Sequence, residues 1–211
     1  GLGYYSRARN LLAAARQAMR AGGLTGEVAA LRALPGVGPY TAGAIASVAF
    51  GTDAPVVDGN VERVLCRVDG VRDDPRTAAG KRALWSRAQD LVTGHPSPGD
   101  HNQALMELGA LVCTPRSPRC EACPWEPMCV AHAEGDEESL PNKPKKAPPV
   151  PISGACALVE RSGAVLMGKR GPGLLAGLWE PVMTTDGDDV AALVQSLGLT
   201  TTQAETLGTV R

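Results

Sequence analysis

Aromatic side chains are scarce in this chain of 211 residues: three Trp, three Tyr and one Phe, or 3%. A core with so few rings has to be filled by small aliphatic groups, which suggests helices packed through Ala, Leu and Gly. There is also no apolar run of about 18 residues, which excludes a membrane-spanning helix. Neither sign of charge dominates. The net charge is −1, with 14 Lys+Arg against 12 Asp+Glu in residues 1–130 and 7 against 10 in residues 131–211. Bulk charge therefore gives no argument for a polyanionic partner, and such a partner has to be argued from motifs. The chain opens on Gly instead of Met and no signal peptide is readable, so it is expected to be a piece of a longer protein. What is present, 44% apolar and 20% charged residues, is ordinary globular composition.

Cysteine is unevenly placed. Cys113, Cys120, Cys123 and Cys129 fall within 17 residues as C-x6-C-x2-C-x5-C, whereas Cys66 and Cys156 stand alone in apolar surroundings. Four clustered thiols in a chain of this type indicate a metal site in a reducing compartment, not a disulfide framework. Thiolate softness selects zinc or an iron–sulfur cluster over magnesium or calcium. The spacing disfavours a zinc ribbon, which needs two C-x2-C knuckles, but leaves zinc and a [4Fe–4S] cluster both open.

The rest of the first 130 residues reads as helices. "SRARNLLAAARQAMRA" (6–21) follows a Ser cap and places Leu11, Leu12, Ala15 and Met19 at helical spacing. Short helices are predicted over 26–34 and from Pro39 to about Phe50, then 58–71 with Asp58 as cap, 77–92 and 99–113. Residues 131–152 hold five prolines and mixed charges without periodicity, a semi-rigid linker. After it, "GACALVERSGAVLMGKR" (154–170) alternates around a Ser-Gly turn as a β-hairpin, 188–199 reads as one helix, and the end resembles the start of another strand.

The turn "LPGVG" (34–38) places glycines just before a helix. Glycine permits close backbone approach, and free N–H groups with the helix dipole attract an anion. Gly36, Val37 and Gly38 are thus candidates to hold a phosphate of duplex DNA without reading its bases. The plainer alternative for these residues alone is a tight connection between two helices.

"LPGVGPYTAGAIASVAFG" followed by "VVDGNVERVLCRV" resembles the helix-hairpin-helix DNA glycosylases, and "GLGYYSRARNL", "NQALMELGALVCT" and the cysteine pattern match the MutY-type adenine DNA glycosylase branch. The likeness spans nearly all of residues 1–130, and residues 153–211 resemble part of that family's Nudix-like C-terminal domain. The implied fold is mainly α: a helix-hairpin-helix glycosylase domain with an iron–sulfur loop at 113–129, then a partial α+β domain. The resemblance implies a [4Fe–4S] cluster on the four cysteines, with Arg116 and Arg119 facing DNA phosphates. It also implies excision of adenine mispaired with 8-oxoguanine or guanine in double-stranded DNA, by a monomeric, bacterial cytoplasmic protein associated with the nucleoid.

Breaking an N-glycosidic bond builds positive charge on the sugar. A nearby carboxylate stabilises that charge and a separate acid protonates the leaving base. The resemblance gives Asp58 the first role, Asn60 a part in orienting the site, and Tyr4 the wedge inserted beside the oxidised guanine. Tyr40 stands where endonuclease III-type relatives carry a lysine that forms a Schiff base and cuts the strand. A phenol forms no imine, so Tyr40 argues for base removal alone. An endonuclease III-like glycosylase/lyase and a non-catalytic DNA-binding iron–sulfur module are the two alternatives. The family's acidic glutamate, in an "SEVMLQQT"-like motif, has no counterpart here, nor is there a Nudix box. The chain alone is therefore expected to lack adenine excision.

Overall fold

The computed structural model describes residues 5–144, 148–151, 153–173, 175–184 and 189–208. The chain divides into two compact units, Gly1–Lys145 and Lys146–Arg211.

The first unit is helical: α1 (Tyr5–Arg20), α2 (Val28–Arg32), α3 (Pro39–Phe50), α4 (Gly59–Val68), α5 (Ala78–Val92), α6 (Pro98–Glu107) and α7 (Val130–Glu134). The signals in the sequence set the ends. Pro39 opens α3, whose missing N–H would have lacked an intrahelical partner in any case, and Gly51 closes it in the left-handed region at φ 65°. Thr77 caps α5 by accepting from the Gly80 N–H at 3.0 Å.

Helix α4 is the centre of the unit. Val61, Val64, Leu65 and Cys66 pack with Val56, Leu84, Ala88 and Leu105 from the neighbouring segments. A second cluster joins Leu31, Ala42, Ala46 and Ala54 around the α2–α3 pair. Small residues allow close crossings. An added Cβ at Gly43 would lie 2.0 Å from the Pro55 carbonyl oxygen, and one at Gly99 would lie 2.9 Å from that of Ser47. Gly43→Ala is therefore expected to cost about 1–3 kcal/mol by overpacking, read as a lower midpoint in urea. An unchanged midpoint would mean that the 54–56 segment yields freely. Between these helices the buried Asn102 amide donates to Ser47 Oγ at 2.9 Å and to the Ala54 carbonyl at 2.8 Å, so its burial leaves no donor unpaired.

Three expectations are corrected here. Helix α1 presents its small residues to the unit: Ala14 and Ala18 are buried while Leu11, Leu12 and Met19 stay exposed, Met19 by 78%. Close approach explains the choice, since Gln17 reaches the Ala33 carbonyl at 3.3 Å and a Cβ on Gly36 would strike Asn10. The helix expected over 99–113 is α only to Glu107 and continues as a π-turn, Leu108–Val112. Finally, the compact unit runs on past residue 130 into the segment assigned to the linker. Ala131 and Leu140 are buried in it, and Arg72 pairs with both Glu134 and Asp136.

Among its described residues the second unit holds three two-stranded antiparallel pairs and a helix. The pairs are β1 (Cys156–Ala157) with β6 (Val182–Met183), β2 (Glu160–Arg161) with β3 (Ala164–Val165), and β4 (Gly168–Lys169) with β5 (Trp179–Glu180). The hairpin read from the sequence is present as β2–β3, turning at Ser162 and Gly163 with φ 54° and 79°. Helix α8 (Val190–Ser196) is shorter than expected and is capped by Asp189, which accepts from the Ala191 N–H. No strand is formed over residues 199–208.

Candidate functional site

Helix α4 begins at a carboxylate. Asp58 Oδ1 accepts from the main-chain N–H of Asn60 at 2.9 Å and of Val61 at 2.8 Å, while Oδ2 accepts from the Asn60 side-chain amide at 3.2 Å. Two of the helix's orphan donors are satisfied in this way, and the anion sits at the positive end of the helix dipole. Asp58 remains half-buried, so a charged group is held in a fixed orientation at the edge of the core.

Asn60 is itself held. Arg63 Nη2 donates to Asn60 Oδ1 at 3.0 Å and to the Gly109 carbonyl at 2.6 Å, while Arg63 Nε donates to the Cys113 carbonyl at 2.7 Å. A continuous path of hydrogen bonds thus leads from Asp58 through Asn60 and Arg63 to the first cysteine of the cluster motif. Gly109 is what lets the π-turn sit against α4, because a Cβ there would lie 2.7 Å from that of Asn60. Sequence reasoning missed Arg63 and Gly109. Their signal was an arginine placed at helical spacing from Asn60 and a glycine in the run "MELGALVC".

The four cysteines converge. Cys113, Cys120, Cys123 and Cys129 line one pocket together with Val64, Arg67 and Val68 of α4, and none of them is in a disulfide. Between them run two single 3₁₀ turns, Cys120–Ala122 and Glu126–Met128, neither with a buried residue. Burial, then the hydrogen bond and charge of Glu137, push the Cys120 thiol up to about 11, and burial raises Cys129. Four thiolates crowded into one pocket repel one another unless a cationic group sits among them, which is the requirement of a metal cluster. Cys66, also pushed up to about 11 by burial, lies within α4 and the core and outside this pocket.

The other expected site residues fall as follows. Gly36 has φ 76°, and the Val37 N–H is used inside the turn, donating to the Leu34 carbonyl at 3.1 Å. The Gly36 and Gly38 amides have no acceptor among the described residues. Tyr40 is 40% exposed and its hydroxyl donates to Met106 Sδ at 3.5 Å, tying α3 to α6. No hydrogen bond joins it to Asp58 among the described residues. Arg116 is exposed, and Arg119, also exposed, spends part of its guanidinium on the Leu111 carbonyl at 2.6 Å. Tyr4 lies outside the described residues.

Residues 1–90 match the family described as HhH-GPD superfamily base excision DNA repair protein. The match runs from the first residue through most of α5 of the helical unit. Residues 113–129 match the iron-sulfur binding domain of endonuclease III, and the loop carries a cluster of the [4Fe–4S] type. Among curated proteins the chain is similar to the human adenine DNA glycosylase, with 40% identity over 85% of this chain and 42% of that protein. It spans less than half the length of the human, rat and mouse adenine DNA glycosylases it matches. Among solved structures, one titled as a thermostable thymine-DNA glycosylase is 33% identical, with a TM-score of 0.53 over 61% of this chain and 59% of that one. A non-covalent endonuclease III–DNA complex is 26% identical, with a TM-score of 0.50 over 63% and 60%. No helix among the described residues is long and apolar enough to cross a membrane.

Proposed function

We propose that this chain forms the DNA-holding and cation-stabilising part of a monofunctional glycosylase that removes adenine mispaired with 8-oxoguanine or guanine in duplex DNA, acting as a monomer. One observation carries the reading: Asp58 is fixed at the start of α4 by three donors, while position 40 holds a phenol and no amine. A locked carboxylate meets the need of an oxocarbenium-like sugar, and without an amine there the imine route to strand cleavage lacks its nucleophile. Similarity to proteins named adenine DNA glycosylase supplies the base.

The remaining assignments follow from this. Gly36 and Gly38 offer amides to a backbone phosphate at the start of α3, with Arg116 beside the cluster loop as a second phosphate contact. Tyr4 serves as the wedge left in the stack when the base is flipped. The thiolates of Cys113, Cys120, Cys123 and Cys129 hold the cluster, whose contribution is to order the loop. The second unit is a partial Nudix-like module for lesion recognition. No residue here matches the family's acid glutamate, so adenine excision requires an acid from a longer form of the protein.

Adenine release from an A:8-oxoguanine duplex tests the reading, comparing this chain with a longer form that carries the "SEVMLQQT"-like helix. Release is expected from the longer form only, with neither captured on DNA by borohydride. Covalent capture of either form would establish lyase chemistry instead, and a cluster-replete longer form that binds the duplex but frees no base would leave a binding module.

A further inference from the structure

Arg67 is 1% exposed, the largest fully buried side chain of the helical unit. A guanidinium does not shed its proton, and a cation taken out of water needs an anion or a full set of acceptors. Among the described residues no carboxylate pairs with it. Its Nε donates to the Leu140 carbonyl at 3.1 Å, Nη1 to the Thr114 carbonyl at 2.7 Å, and Nη2 to the Pro115 carbonyl at 3.0 Å. Nη1 also reaches Cys113 Sγ at 3.3 Å. That sulfur is the atom in its hydrogen-bonded shell able to carry negative charge. Arg63, by contrast, meets Cys113 only through the main-chain carbonyl.

We propose that Arg67 is a positioning residue for the iron–sulfur cluster, holding the Cys113 sulfur through an N–H···S hydrogen bond and raising the cluster's reduction potential. The bound cluster with four thiolates is the counter-charge this buried cation lacks. In turn, the guanidinium stabilises the more negative, reduced state more than the oxidised one. The three carbonyl bonds fix the fork at the sulfur, because they tie both flanks of the cysteine loop to one helix position. This inference rests on the cluster and is independent of which base the protein removes.

The test compares the iron-loaded parent with Arg67→Met and Arg67→Gln, measuring iron per chain and the cluster's midpoint potential at an electrode. Arg72→Gln is the control: it loosens the same segment by losing the pair with Glu134 and Asp136, but touches no cysteine. Both Arg67 variants are expected to shift to lower potential, Met further than Gln, while Arg72→Gln keeps the parent's value. A cluster-replete Arg67→Gln with the parent's potential would overturn the proposal and leave Arg67 a purely structural clamp. Should Arg67→Met fail to accumulate, Arg67→Gln alone decides. An iron-free parent would instead overturn the cluster assignment, an outcome told apart by iron content.

Discussion

Asp58→Asn, placed in a glycosylase form that carries the acid, is expected to slow adenine release by about 10²–10³-fold, the usual cost of removing one preorganised electrostatic contact. The substitution removes the charge and the Oδ2 contact with the Asn60 amide but keeps the helix cap. Oδ1 of an asparagine still accepts from the Asn60 and Val61 N–H groups, and Asn is as good a helix cap as Asp. Fold and duplex affinity should therefore survive, with stability changed by less than about 1 kcal/mol. Single-turnover release and a urea melt on the same preparation separate the two effects. If release proceeds at the parent's rate, Asp58 is a helix cap and nothing more.

Cys123→Ser should have the other large effect, on order instead of chemistry. The turns between the cysteines bury no residue, so the loop has no apolar core of its own. Cys113 and Cys129 pack against the main cluster and would lose contacts if replaced, whereas Cys123 is not among the residues packed there. Its loss removes a ligand and little else. Tryptic cleavage after the exposed Arg116 and Arg119 is expected to speed up on the order of tenfold or more, as the loop opens without its metal. The core around α4 should stay largely intact, because Val61, Val64 and Leu65 also pack with Leu84, Ala88 and Leu105 of α5 and α6, and the loop adds only partly buried residues such as Cys113 and Cys129 at its border. Limited proteolysis of parent and variant, with iron content measured, checks this. Equal cleavage rates would show that the arginine bonds alone order the loop.

Much of the helical unit was legible because local chemistry and tertiary need coincide there. Pro39, Asp58 and Thr77 mark helix starts in the sequence and act as such in the fold. The cysteine pocket was legible for the same reason, since four ligands close in sequence can meet without help from the rest of the chain. What escaped depends on neighbours. The face of α1 looked to be Leu11, Leu12 and Met19 by hydrophobicity, yet the close approach of the 33–36 turn admits only Ala14 and Ala18. The π-turn over Leu108–Val112 was equally hidden. Its carbonyls are claimed by Arg63 and Arg119, and no periodicity within the turn records a partner on α4. Residues 131–144 read as linker by composition, but Arg67 and Arg72 draw them onto the core.

Helix α4 has a consequence for how this protein tolerates inherited change. Of its ten residues, Gly59 alone is exposed; the others are buried or half-buried, among them Asn60, Arg63 and Arg67, which are tied to other groups by hydrogen bonds. Such a helix has no neutral side on which sequence can drift. Helix α1, with Leu11, Leu12 and Met19 in the open, has one within this unit. Across natural variants, α4 should therefore be the slow-changing element, and position 109 should stay glycine, because a Cβ there would meet the main chain of residue 60 as well as its side chain.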